Sequence, residues 1–154
     1  MHALIIEDQF LVAALIEDVL RDLGFASFDV VDTEAEAIRV AGVRCPDLVT
    51  VDERLSAGSG VSAVRAICAN RSIPAVFITE HGARVRRLLP DAIIVAKPFG
   101  VRGLRDAVGQ AIVSALRPDG TNARSRQAEP AGPPVPAGEM SRSAPPLPAG
   151  ASWS

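Results

Sequence analysis

Apolar residues in this chain follow two alternating rhythms. Short, dominantly apolar runs such as Ala3-Leu4-Ile5-Ile6 and Leu48-Val49-Thr50-Val51 have the pattern of strands buried on both faces. Between them the spacing changes to the three-and-four step of a helix with one buried face. Val12, Leu15, Ile16, Val19 and Leu20 predict a helix over 10–23, with Glu17 and Arg21 placed to pair and Gly24 supplying a stop. Residues 26–31 form a second, less apolar strand suited to an edge. Thr33 with Glu36 reads as a capping box, opening a helix that Gly42 ends.

The alternation continues. Residues 48–51 make a third strand closing on Asp52, and a loop with Gly58 and Gly60 leads into a helix over 61–69, with Val61, Val64, Ile67 and Cys68 on one side. Residues 74–79 are a fourth strand, and 81–89 a short basic helix that Pro90 ends. Residues 92–96 are a fifth strand and 101–116 the last helix, with Leu104, Val108, Ala111, Ile112 and Ala115 facing inward. Five strands alternating with five helices predict an α/β fold: a five-stranded parallel sheet, doubly wound in the order 2-1-3-4-5, with helices on both faces. Beyond residue 117 the rhythm stops. Eight of the twelve prolines lie between Pro118 and Pro148 among Ala, Gly and Ser, so 118–154 is expected to be a disordered tail with polyproline II character at 133–136 and 145–148.

Composition narrows the class. A chain of 154 residues, 48% hydrophobic and 22% charged, with net charge -2, reads as soluble and globular and argues against a charge-driven nucleic-acid binder. No apolar stretch approaches the roughly 18–20 residues of a membrane span, and no signal-peptide pattern opens the chain. Cys45 and Cys68 stand outside any motif and read as buried, reduced thiols, so the protein is expected to be cytoplasmic. Charge is uneven along the chain: residues 1–79 carry twelve acidic and six basic side chains, residues 80–117 three and seven.

Ligands of open α/β sheets bind beyond the carboxyl ends of the strands. Here those ends carry Glu7-Asp8, Asp52, Thr79 and Lys97, the last being the only lysine among sixteen cationic side chains. Two carboxylates about 4 Å apart repel by roughly 4 kcal/mol at an effective dielectric near 20, so such a cluster calls for a cation. An all-oxygen set with room for water suits Mg²⁺. A carboxylate on the middle strand, Asp52, is then placed to attack a phosphoryl group, with Glu7 and Asp8 holding the metal and Thr79 and Lys97 facing the transferring oxygens. Each residue has an ordinary structural role as well: Glu7-Asp8 near a helix N-terminus, Asp52 in a loop, Thr79 as an N-cap. Their conjunction at four strand ends points to phosphoryl chemistry.

Leu4-Ile5-Ile6-Glu7-Asp8, Val51-Asp52 followed by Leu55 and Gly60, Phe77-Ile78-Thr79 and Lys97-Pro98-Phe99 together resemble a response-regulator receiver domain of two-component signalling, over residues 1–117. The wording of the first and fourth strands is most similar to the receiver half of anti-anti-sigma stress-response regulators. The resemblance implies a stand-alone, non-enzymatic phosphoacceptor: Asp52 takes phosphate from a histidine kinase or phosphotransfer protein and the chain signals through another protein. It also implies Mg²⁺ on Glu7, Asp8, Asp52 and the Arg54 backbone carbonyl, and a cis bond before Pro98. Three features depart from the family pattern. Ile94 replaces the usual switch aromatic, Glu80 stands where a small residue leaves the phosphoryl path open, and Arg54 with His81 occupy positions that tune phosphorylation rates.

Arg84, Arg86, Arg87, Arg102 and Arg105 are expected to give a basic face for a protein partner, or for a homodimer, rather than for nucleic acid. Two alternatives stand beside this reading. One is a phosphorylation-independent binding module, its site closed to phosphodonors by Glu80. The other is a Mg²⁺-dependent aspartyl-phosphate phosphatase, disfavoured because Arg54 stands two residues after Asp52 where such enzymes carry a second aspartate.

Overall fold

The strands form where the apolar runs lie: β1 (His2–Ile6), β2 (Ser27–Val31), β3 (Leu48–Val51), β4 (Ala75–Thr79) and β5 (Ile93–Ala96). The helices between and after them are α1 (Phe10–Asp22), α2 (Glu34–Val43), α3 (Gly60–Ile67), α4 (Gly82–Leu88) and α5 (Val101–Leu116). This is a computed structural model that describes residues 1–117; the segment 118–154, with its expected disorder and polyproline runs, lies outside the described residues. All strand pairs are parallel and the sheet order is β2-β1-β3-β4-β5, as the alternation predicts.

Side-chain alternation on the strands divides the core in two. Ala3, Ile5, Leu48, Val76 and Ile78 face α1 and α5, meeting Ile16, Leu20, Leu104 and Val108. Leu4, Ile6, Val49, Val51 and Phe77 face the other way, toward Ala37 of α2, Val61 and Val64 of α3 and Val85 of α4. β1 and β3 are buried on both faces, which explains their dominantly apolar character. β2 is an edge strand with Val30 exposed, in line with its weaker apolar pattern.

Local signals held at most element ends. Gly24 takes φ +93° just after α1, a conformation that disfavours a Cβ, and Arg21 pairs with Glu17. The Thr33 hydroxyl accepts a bond from the Glu36 backbone N–H at 3.3 Å, capping α2. Glu36 does not complete the box; its carboxylate turns to Arg39 at 3.4 Å. Gly42 does not end α2 either, because the helix runs on to Val43 and its positive-φ freedom is not used. Leu15 lies at the rim of α1 and is exposed rather than packed, and Cys45 is exposed on the connection into β3 rather than buried. Both thiols are free.

Gly60 is the tightest joint. A Cβ there would sit 1.9 Å from the Asp52 carbonyl oxygen and 2.6 Å from Val51 Cγ2, so the first turn of α3 can lie against the end of β3 only without a side chain. The Gly60 N–H donates to the Glu53 carbonyl at 3.0 Å and holds that approach. Gly60→Ala should therefore destabilise the fold by about 3 kcal/mol, the upper range of overpacking. Gly42→Ala, where open space surrounds the added methyl, should be neutral or stabilising by a few tenths of a kcal/mol, about what helix propensity allows. Urea denaturation of the two variants measures the contrast.

Candidate functional site

The register of the central strands brings the candidate residues to one end of the sheet. Ile6 lies opposite Val51, so Glu7 and Asp52 emerge side by side, and the Asp52 N–H donates to the Ile6 carbonyl at 2.9 Å. Thr79 lies opposite Ala96, and the Lys97 N–H donates to the Thr79 carbonyl at 3.1 Å. Four chain segments far apart in sequence thus meet at one rim.

Lys97 is the hub. Its ammonium lies 2.7 Å from Glu7 Oε2 and 2.7 Å from Asp52 Oδ2, with the lysine side chain only 8% exposed. The Lys97-Pro98 bond is cis. The other Asp52 oxygen accepts from the Arg54 backbone N–H at 3.2 Å, and Glu7 Oε1 accepts from the Gln9 N–H at 3.1 Å. Thr79 is fully buried, and its hydroxyl oxygen accepts from the His81 backbone N–H at 3.1 Å, leaving the hydroxyl proton uncommitted by that bond. Asp8 is exposed beside Glu7.

The site carries more negative charge than Lys97 answers. Burial raises the Glu7 carboxyl above its ordinary range; the Lys97 and Gln9 contacts offset only part, and the Asp52 charge adds to the rise. Burial alone would lower the Lys97 ammonium, but the bonds to Asp52 and Glu7 outweigh it and its pKa is raised. The two shifts agree physically, since one ammonium serves two carboxylates while each carboxylate has half an ammonium. Oxygens of Glu7, Asp8 and Asp52 all lie within 4.8 Å of one another. Three carboxylates this close, one held partly against its own ionisation, fit a small hard cation such as Mg²⁺.

A family model for the response regulator receiver domain matches residues 3–109. The chain belongs to that family. Among curated proteins it is 34% identical over 128 residues to the phyllosphere-induced regulator PhyR of Methylorubrum extorquens, covering 78% of this chain and 48% of PhyR. A solved structure of an anti-anti-sigma factor PhyR mutant from Bartonella quintana is 29% identical with TM-score 0.61, covering 73% of this chain and 48% of that one. The chain therefore spans about half the length of these PhyR relatives. The receiver domain of the sensor histidine kinase PA1611 from Pseudomonas aeruginosa is 28% identical with TM-score 0.63, covering 73% and 97%, and was solved with magnesium coordinated in its active-site cleft. The similarity to anti-anti-sigma regulators read from the strands agrees with the PhyR matches.

The departures from the family pattern occupy definite places in the receiver. Glu80 is exposed. Ile94 is half-buried in the core cluster under α3 and α4, and a Cβ on Gly82 would lie 3.1 Å from its Cγ2, so the first turn of α4 rests on it. Arg54 Nη1 and His81 Nε2 are 3.4 Å apart, joining the loop after Asp52 to the start of α4. The basic face is smaller than its sequence implies. Arg84 pairs with Glu53 at 2.9 Å and Arg105 approaches Asp22 of α1 at 3.7 Å, while Asp91 and Asp106 share the cleft between α4 and α5 with Arg86. Their shared charge on α4 and α5 had grouped these arginines, whereas the partners of Arg84 and Arg105 come from other elements.

Glu53 went unnoticed in the sequence, yet it is a charged side chain only 2% exposed. One signal was available: residue 53 shares the face of Val49 and Val51, which pack toward α3 and α4. A carboxylate continuing that stripe must find a cation or remain uncompensated.

The raised Glu7 pKa predicts a specific pH dependence. A carboxyl whose folded pKa exceeds its unfolded value binds its proton more tightly when folded, so its contribution to stability falls as pH rises through that window. The metal-free Glu7→Gln variant should unfold at a higher temperature than the parent at pH values above the raised titration range of Glu7, a difference that closes as pH falls toward the ordinary value of about 4.5. Added Mg²⁺ should raise the melting temperature of the parent more than that of the variant. Thermal melts with and without EDTA measure both effects.

Proposed function

We propose that this receiver takes a phosphoryl group on Asp52 from a histidine kinase or phosphotransfer protein, in a Mg²⁺-dependent reaction, and signals by protein–protein contact. The reading rests chiefly on one observation: a buried ammonium 2.7 Å from both Glu7 and Asp52, at a rim where a third carboxylate completes a cation-sized acid cluster.

Each residue then has a chemical task. Glu7, Asp8 and Asp52, with the Arg54 backbone carbonyl, would hold the metal. Bound there, Mg²⁺ supplies charge neutralisation for the carboxylates and the incoming phosphoryl oxygens. An Asp52 oxygen attacks phosphorus, the bond from phosphorus to the donor nitrogen breaks, and an acyl phosphate remains on Asp52. Lys97, already against Asp52, supplies a point charge to one phosphoryl oxygen. Thr79 can donate its hydroxyl proton to another, since the His81 N–H bond uses its oxygen only as an acceptor. Turnover of small substrates is not part of the proposal: the acyl phosphate is the signal, and the phosphoacceptor need only form and lose it. No helix among the described residues is long and apolar enough to cross a membrane, and we place the signalling step in the cytoplasm, where the kinase's phosphodonor resides.

Incubation with ³²P-acetyl phosphate or a phosphorylated histidine kinase should label the parent in the presence of Mg²⁺, and EDTA should abolish labelling. Asp52→Asn should reduce it to background, on the order of a hundredfold or more for loss of the nucleophile. Equal labelling of Asp52→Asn and parent would sink the proposal. Glu80→Ala should speed labelling severalfold if the exposed carboxylate repels the donor, as two like charges about 6–8 Å apart near a surface would.

A further inference from the structure

The residue after the phosphoacceptor is a buried carboxylate that the chemistry above does not use. Glu53, two residues past the end of β3, is 2% exposed. One of its oxygens, Oε1, lies 2.9 Å from Arg84 Nε, on the first half of α4. The other, Oε2, is buried with no hydrogen-bond partner. A carboxylate so placed is held by a single cation, and that cation belongs to a different element.

We propose that the Glu53–Arg84 ion pair is the link through which the state of Asp52 reaches α4, with Glu53 acting as a positioning residue for that helix. The inference rests on the phosphoacceptor reading and adds a route to it. Phosphorylation exchanges the singly charged Asp52 carboxylate for a phosphoryl group carrying roughly 1.5–2 negative charges, one residue from Glu53. The Glu53 backbone has little room to give way, because its carbonyl accepts the Gly60 N–H at 3.0 Å and Gly60 is wedged against Asp52. The strain therefore falls on the Glu53 side chain, whose second oxygen no hydrogen bond holds in place, and on Arg84, which is paired with the first.

The start of α4 is tied to the same group. The Thr79 hydroxyl that accepts the His81 N–H is also the donor available to the phosphoryl group, so its reorientation bears on a bond immediately before Gly82. Ile94 adds only packing there: it has no ring to swing, and it supports Gly82 by contact alone. The ion pair to Glu53 then joins α4 directly to the phosphoacceptor strand. Arg84 is thus part of the internal linkage, and the exposed Arg86 and Arg87 beside it on α4 are what a partner would sense moving.

Beryllofluoride with Mg²⁺, a phosphoryl stand-in, tests this on the full chain by ¹⁵N-¹H NMR. In the parent, the Thr79 and Lys97 amides and those of residues 82–88 should all shift. In Arg84→Gln, which alters an exposed side chain, Thr79 and Lys97 should respond as in the parent while the shifts over 82–88 fall to less than half. Glu53→Gln should do the same, and Arg84→Lys, which restores a cation, should recover most of the α4 response. Parent-like α4 shifts in Arg84→Gln would overturn the link, as would a silent α4 in a parent whose Thr79 and Lys97 respond. No response at Thr79 and Lys97 in the parent would instead remove the phosphoacceptor reading, and the link with it.

Discussion

One ammonium ties together the ends of three strands. Lys97 reaches from the end of β5 to Glu7 beyond β1 and Asp52 beyond β3, at 2.7 Å to each carboxylate. Without it, two buried carboxylates would face each other across the central strand pair with no cation between them, a severe penalty in a dry site. With it, the rim is held together by one ammonium shared between two carboxylates, with a third carboxylate close by. The arrangement is therefore stable and still receptive to a divalent cation. A lysine suits this position because its compact charge meets one oxygen from each side, whereas an arginine fork would demand a planar, bidentate partner.

A second layer of ties surrounds this hub, and nearly all of it leads to α4. Glu53 reaches Arg84, Arg54 reaches His81, and Thr79 holds the His81 N–H. The β3–α3 loop and the start of α4 are thus connected by side chains from the very residues that flank Asp52. In a receiver whose strand-five aromatic is replaced by Ile94, these side-chain ties join the surroundings of the acid cluster to α4 directly. It also explains why the arginines of α4 do not all belong to one solvent-facing patch: one of them neutralises a buried acid.

The match between sequence and structure was closest where local physics dominates. Dominantly apolar runs became β1 and β3 because both faces of these strands are buried. The Thr33 cap and the Gly24 stop formed because each satisfies a backbone need within a few residues. Predictions failed where a distant neighbour decides. Gly42 stays inside α2, where glycine's freedom is tolerated but unnecessary. Leu15 fits the helical stripe, yet it sits at the rim, where no partner element covers it. Glu53 went unnoticed beside Asp52, and only the packing of α4 made it a buried carboxylate paired with Arg84.

By itself the sequence determined the element order, the parallel doubly wound sheet and the set of polar groups at the strand ends, because periodicity, capping and strand termini are written in short stretches. Tertiary structure alone decided that Lys97 bridges two carboxylates at once, that Gly60 must lack a side chain to seat α3 against Asp52, and that the exposed Arg84 pairs with the buried Glu53. Those outcomes depend on distances between residues tens of positions apart, where a shift of an ångström or two separates an ion pair from a solvated charge.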